Sequence, residues 1–187
     1  MGLFSRKRFV VTNLFVAVDA AAFAPTLALC QDAQKRIVEH ADDFALACTE
    51  LARVAGAVLD RSAHLTHAAC FGEVFDDEGD AEAAGQSAFA DLSTRYLAAD
   101  DAGAPSEALP GERRAVVMLT IAYQGEEPAL EGDLGSVIDV EDALKAVIAL
   151  HHQERLLLAH VHHAPAHPED KLTDEQLLVN YPELLSL

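Results

Sequence analysis

The histidines are the side chains of this chain that are best placed to bind a metal ion or transfer a proton. Six of the nine lie within residues 151–167. His160 and His162 are two residues apart in an apolar segment, and side chains at that spacing on a strand point to the same face. Two imidazoles so placed can bind zinc or copper when a third ligand comes from elsewhere. Candidates for that ligand are His67, His152 and His167. The competing interpretation, since the sequence has no CxxC or HExxH motif, is a pair of solvated or hydrogen-bonded imidazoles.

Other patterns that would indicate catalysis or ligand binding are missing from the sequence. It holds no GxSxG motif for a nucleophile and no glycine-rich phosphate loop. The acidic residues 76–80 resemble a calcium loop, but Gln86 and Ser87 stand where the last ligand of an EF-hand would be. Cys30, Cys48 and Cys70 fall in apolar segments, so we expect buried thiols in a reducing compartment. The sequence therefore predicts no catalytic residues.

Hydrophobic periodicity predicts the elements that must position the histidines. Strands are expected at about residues 9–19, 64–75, 115–123 and 155–163. Helices are expected at about residues 25–39, 43–60, 81–99 and 140–150, the first opened by Pro25 and the last capped by Asp139. The predicted class is α+β, a single layered domain with a sheet of about four strands flanked by helices in the order β-α-α-β-α-β-α-β. If the last two strands are adjacent and parallel, the helix between them makes a right-handed crossover.

The C-terminal residues 171–187 have the pattern of a tail that caps the sheet. Residues 173–176 match a capping box, and Tyr181-Pro182 ends the short helix that follows it. Four leucines can hold the tail, each contributing roughly 1.5–3 kcal/mol if buried. They are Leu177, Leu178, Leu184 and Leu185. The alternative is a free docking peptide, whose candidate interaction residues are Tyr181, Pro182, Glu183 and Leu184.

Charge and composition restrict the classes of partner. A formal net charge of -18 repels nucleic acid and anionic lipid headgroups. The basic residues 6–8 and the apolar run after them imitate a signal peptide. That run stops at Asp19, is too short to span a bilayer and is rich in β-branched residues, which favours a strand. We therefore expect a soluble, cytoplasmic protein with an unknown protein partner, no nucleic acid and no membrane insertion.

The last third of the chain carries a more specific pattern. It has a Val-rich strand at residues 116–120, a helix after an acidic loop at 140–149, a strand ending in proline at 157–165, and an acidic linker leading to Tyr-Pro-Glu-Leu at 181–184. In these parts and their order the chain resembles the domain of unknown function fifteen-seventeen, a family of cyanobacterial, plastid and other bacterial proteins. The resemblance covers most of the chain and brings no catalytic residue to it. The chain departs from the family at His163, where an aromatic residue is common.

These observations lead to one expectation of function and one alternative. Residues 1–187 are expected to form a single domain, with a basic leader at 1–8, a core at 9–170 and the capping tail at 171–187. We expect a non-enzymatic accessory or protein-interaction module without a cofactor. The alternative is a metal-binding protein or metal-dependent enzyme that uses His160 and His162, with zinc as the cofactor. A small-molecule sensor would require a pocket, which only coordinates can show.

Overall fold

Strands and helices alternate along the chain except for two successive helices after the first strand. The computed structural model describes residues 8–101, 113–165 and 172–187, with the backbone alone for residues 93–101. The elements in chain order are β1 (Phe9–Asp19), α1 (Ala20–Glu39), α2 (Phe44–Leu59), β2 (Leu65–Phe75), α3 (Glu78–Asp101), β3 (Arg114–Gln124), α4 (Val137–His152), β4 (Leu156–Ala164), α5 (Asp174–Asn180) and β5 (Leu185–Ser186). Short 3-10 turns at Ser62–His64 and Pro128–Leu130 precede β2 and α4.

The five strands form one antiparallel sheet in the order β4-β3-β1-β2-β5. The α+β class is confirmed, and the element order broadly follows the predicted one. The sheet has five strands rather than about four, because β5 is only two residues long and too short to leave a period-two pattern. Neighbouring β3 and β4 are antiparallel, so the crossover rule for parallel strands does not apply.

Both faces of the sheet are covered. On one face, even-numbered residues of β1 such as Val10 and Leu14 pack in a large apolar core with α1, α2 and α4. On the other face, Phe15 packs with the C-terminal tail and with Leu92 of α3. The covering leaves ten of the eleven residues of β1 buried, as expected for a central strand with two apolar faces. Within the described residues, no helix is long and apolar enough to cross a membrane.

The first helix begins earlier than the sequence predicted. Asp19 is its N-cap, and its carboxylate accepts hydrogen bonds from the backbone N–H groups of Ala21 and Ala22 at 2.9 and 3.3 Å. Pro25 therefore lies in the second turn rather than at the first helical position. The prediction was wrong here because a proline was given more weight than the aspartate that satisfies the free N–H groups.

The third and fourth helices also begin before their predicted positions. The Asp77 carboxylate accepts from the N–H groups of Gly79 and Asp80, so the acidic residues that superficially resembled a calcium loop cap α3. The N-cap of α4 is Ser136, whose hydroxyl accepts from the Asp139 N–H at 3.3 Å and donates to the Asp139 carboxylate at 2.7 Å. Asp139 thus completes the cap from the first turn instead of forming it.

The described part of the tail packs on the sheet. The capping box at Thr173 and Gln176 is present. Leu177, Tyr181 and Leu184 are buried, whereas Leu178 and Leu185 are more than half exposed. The tail is also tied to β3, since the Arg114 guanidinium contacts the Asp174 carboxylate at 2.7 Å.

One buried charge holds α1 and α2 together. Glu50 of α2 is only 1% exposed, and its carboxylate accepts from Arg53 Nε at 2.7 Å and contacts Arg36 Nη1 of α1 at 2.6 Å. Arg53 also reaches Asp32 of α1 at 2.9 Å. The carboxylate is thus compensated by two cations, which is the condition under which a charge can be buried.

Replacing Glu50 by Gln should destabilise the protein. Glu50→Gln leaves two guanidinium groups facing a neutral amide. We expect the free energy of unfolding to fall by about 1–3 kcal/mol, less than for a fully buried pair because both arginines are partly exposed. Urea denaturation measures this. The control is Glu39→Gln, which removes the exposed partner of Lys35 and should cost less than about 0.5 kcal/mol. Equal losses in the two variants would contradict this role of Glu50.

Candidate functional site

His160 and His162 lie on the same face of β4, beneath α3. They pair in register with Thr120 and Met118 of β3. The ring of Phe89 in α3 stacks on both imidazoles, with centroid distances of 3.8 Å to His160 and 4.4 Å to His162. The pair that the sequence singled out is therefore packed against an aromatic side chain.

Gln34 of α1 holds His162 from the edge of the sheet. Its side-chain nitrogen lies 3.0 Å from His162 Nδ1 and donates to the Val161 carbonyl oxygen at 3.1 Å. Because an amide N–H is the donor, Nδ1 accepts and the proton of the neutral ring lies on Nε2. A metal ion at His162 would have to displace either the Gln34 N–H that donates to Nδ1 or the ring proton on Nε2.

Burial keeps the histidines of β4 uncharged. It lowers the pKa of His160 and of His163 below the ordinary value of 6.5. The pKa of His162 falls to about 4, first through burial and then through repulsion from the neighbouring His160 and His163. The rings are neutral at pH 7, which suits a metal ligand and a packed side chain equally well.

The structure separates the pair from the other candidate ligands that it describes. His67 is on β2, three strand positions from β4 and therefore about 14 Å away across the sheet. His152 ends α4 beside a groove with Phe44 and Leu156, and His167 lies outside the described residues. Within residues 8–101, 113–165 and 172–187, no three His, Cys, Asp or Glu side chains are grouped to hold a metal ion. Metal binding at His160 and His162 stays a prediction, which elemental analysis of the purified protein tests.

The cysteine thiols are held in their protonated form. Burial raises the pKa of Cys30 to about 12, of Cys48 to about 11 and of Cys70 to about 12. Cys70 also donates to the Leu130 carbonyl oxygen at 3.2 Å. A thiol needs a lowered pKa to act as a nucleophile, so these groups are poorly suited to attack a substrate.

The four residues named as an interaction peptide are part of the packed tail. Tyr181 is 2% exposed and Leu184 is 6% exposed, and both lie in the apolar cluster with Phe15 and Met118. An interaction role for Tyr181, Pro182, Glu183 and Leu184 stays a prediction. In this conformation the side chains of Tyr181 and Leu184 face the protein, whereas Pro182 is exposed.

The second half of β2 is the most open part of the sheet. β5 pairs only with His67 and Ala68, so among the described strands none lies on the outer side of residues 71–75. We name this outer side the β2 edge. Four of its five residues are exposed, and two of them are large and apolar: Phe71 at 37% and Val74 at 54%. Unpaired backbone groups on an edge strand are a template for another strand.

A groove borders the β2 edge on each face of the sheet. The first, which we call the α3 groove, has a volume of about 410 Å³ and lies between Phe71 and Phe75 on one side and Ala88 and Asp91 of α3 on the other. The second, the Leu130 groove, has a volume of about 150 Å³. It is lined by Arg8, Val10, Val74, Leu130 and Glu131, among others. An extended chain along the edge would have a groove for each of its two faces.

Phe71 and Gly72 fix the geometry of this edge. The Phe71 ring meets Phe15 edge to face, with centroids 5.1 Å apart, and is thereby held in place. A Cβ atom at Gly72 would overlap the Val11 carbonyl oxygen, so β1 and β2 can approach this closely only because residue 72 has no side chain. The edge is therefore a fixed surface rather than a loose strand end.

The protein is thus of the α+β class, with one antiparallel sheet that has an open edge at β2. The family described as Protein of unknown function (DUF1517) matches residues 8–187, and the chain belongs to that family. The resemblance drawn from the last third of the sequence is thus confirmed. Searches of curated proteins and of solved structures gave no significant match.

Sequence reasoning missed the β2 edge. The available signal was the composition of residues 71–75, which place apolar side chains on both faces of a strand and a glycine inside it. That pattern is typical of a buried strand as well, so it could not show which side was free. Sequence reasoning also passed over Glu50, because a glutamate on a helix is usually exposed.

Replacing His162 by Phe should reduce the loss of stability in mild acid. Its folded-state pKa of about 4 lies below 6.5, so between these values the unfolded chain binds a proton that the folded chain does not. The stability is therefore complete above about pH 6.5 and decreases as the pH falls toward 4. From His162 alone we expect a loss of roughly 2 kcal/mol between about pH 7 and about pH 5.

His162→Phe keeps a ring on Phe89 and removes this contribution, so its unfolding free energy should change less with pH than that of the wild type. Denaturation at a series of pH values measures the slope. His152→Gln, at an exposed histidine, is the matched control and should keep the wild-type slope. An unchanged slope in His162→Phe would contradict a half-buried, neutral imidazole at this position.

Proposed function

We propose that this protein is a non-enzymatic interaction module that binds an extended segment of a partner protein along the β2 edge. The observation that carries the proposal is the unpaired outer side of residues 71–75, with a groove on each face. A segment that adds a strand there gains backbone hydrogen bonds from the edge and specificity from its alternate side chains.

The two grooves determine which side chains fit. The α3 groove is the larger and has Phe71, Phe75 and Ala88 in its lining, so it suits an apolar side chain of the partner. The Leu130 groove holds less than half that volume, so it encloses less of any side chain that lies on its face. Because successive residues of a strand alternate between faces, the partner segment would be apolar at every second position.

The charges around the edge favour a basic partner. Glu73 lines both grooves, Asp91 borders the α3 groove and Glu131 borders the Leu130 groove. Arg8 lies there as well, but it is already paired with Glu126 at 2.9 Å and with Glu131 at 2.6 Å. Lysine or arginine side chains between the apolar positions of the partner would meet this acidic rim.

The same charges argue against a second copy of this chain as the occupant. Two copies paired through their β2 edges would bring Glu73 of each close to the acidic rim of the other. Like charges across neighbouring strands are destabilising, and each chain carries a formal charge of -18. A different, basic protein is therefore the better fit.

The state of the reactive groups supports a non-enzymatic role. The cysteine thiols have raised pKa values through burial. His160 and His162 are packed beneath Phe89 rather than presented to a substrate. Binding through backbone and charge requires none of these groups.

A peptide titration tests the proposal. The probe is a short fluorescein-labelled peptide of alternating Val and Lys, and its reference is the same peptide with Glu in place of Lys. We expect fluorescence anisotropy to report saturable binding of the basic peptide and none of the acidic one. Glu73→Lys should weaken the basic peptide by about tenfold, since it replaces an attraction by a repulsion at an exposed site.

The matched control is Asp42→Lys, which makes a similar charge change in the exposed turn between α1 and α2. It should bind the basic peptide nearly as the wild type does. Equal weakening by Asp42→Lys would mean that net charge alone attracts the peptide. Equal binding of the two peptides, binding of neither, or self-association through the β2 edge would also overturn the proposal.

A further inference from the structure

A further groove lies on the same face of the sheet as the Leu130 groove, but beside β3 and β4 rather than beside β2. It runs between the first half of α1 and the ends of β3 and β4, and its volume is about 390 Å³. Ala24, Leu27 and Ala28 form much of its apolar wall, and Arg113 and His163 also line it. We call it the α1 groove. Its volume is within the range of small-molecule sites.

His163 is the unusual residue of the α1 groove. Its side chain is 8% exposed, and neither ring nitrogen has a hydrogen-bond partner among the residues that the structure describes. A buried polar group without a partner destabilises the fold, and a hydrocarbon ring of the same size would fill this position at a lower cost. Both nitrogens are buried in the free protein, so a molecule in the groove could supply the missing hydrogen bond once the imidazole turns toward it.

Arg113 provides a cation for the same groove. Its neighbour Arg114 is occupied by Asp174, whereas the Arg113 side chain is exposed and forms no ion pair within the described ranges. The Arg113 backbone is fixed, because its carbonyl oxygen accepts from the Ala20 N–H at 3.0 Å where α1 begins. A guanidinium beside a mostly apolar wall favours an anion that carries an apolar body.

We propose that the α1 groove binds a small apolar carboxylic acid, with its carboxylate between Arg113 and His163 and its hydrocarbon part along Ala24, Leu27 and Ala28. A neutral imidazole has one N–H to donate to the carboxylate. The guanidinium adds a charge-assisted hydrogen bond. The exposed alanines of α1 are then covered by the hydrocarbon part of the ligand.

Sodium octanoate is a suitable probe, followed by NMR of the histidine side chains. We expect octanoate to shift the His163 imidazole resonances saturably, and octan-1-ol, which lacks the charge, to bind more weakly. Arg113→Gln should weaken octanoate by about tenfold, since it removes the charge-assisted contact. Arg61→Gln, at an arginine away from the groove, is the control and should bind as the wild type does.

A second variant separates binding from folding. His163→Phe keeps the ring volume and removes both nitrogens, so it should raise the melting temperature while losing octanoate binding. A lowered melting temperature would show that the nitrogens are already satisfied in the free protein, and this would also overturn the proposal. Equal binding of octanol and octanoate, no saturable shift, or unchanged binding by Arg113→Gln would overturn the proposal. Binding of the basic peptide at the β2 edge should be unaffected in Arg113→Gln, so the two proposals fail separately.

Discussion

The burial of β1 and β3 on both faces is the constraint on which the rest of the structure depends. Ten of the eleven residues of β1 are buried, and β3 between Ala115 and Tyr123 is buried throughout. A sheet of this kind must be covered twice. Three helices cover one face, whereas α3 and the C-terminal tail share the other. The cover ends before the outer half of β2, and the β2 edge is what remains open.

Much of the fold could be predicted from local sequence because local chemistry decides it. The β-branched residues of β1 predict its bounds, and the Thr–Gln pair before α5 predicts a capping box. The structure has the strand at these bounds and has the capping box. Strand order could not be predicted, since it depends on which faces meet across long chain separations. β5 could not be predicted either, because two residues that pair with His67 and Ala68 carry no pattern of their own.

In the candidate sites, too, the features decided by local sequence could be predicted and those decided by long-range packing could not. Alternation along β4 was enough to put His160 and His162 on one face and His163 on the other. It could not predict Phe89 stacking on the pair, or Gln34 reaching around the strand, because these residues come from α3 and α1. The α1 groove was likewise hidden, since Arg113 and His163 line one groove only through the pairing of β3 with β4 and the packing of α1.

Amide hydrogen exchange of the free protein, followed by NMR, tests whether residues 71–75 have an unpaired outer side. Amides inside β1 and β3 should exchange slowest, because they open only with global unfolding. Within residues 71–75, slow amides that bond to β1 should alternate with fast amides that point outward. Uniform slow exchange across residues 71–75 would mean that the edge is already paired, and would contradict partner binding through the β2 edge.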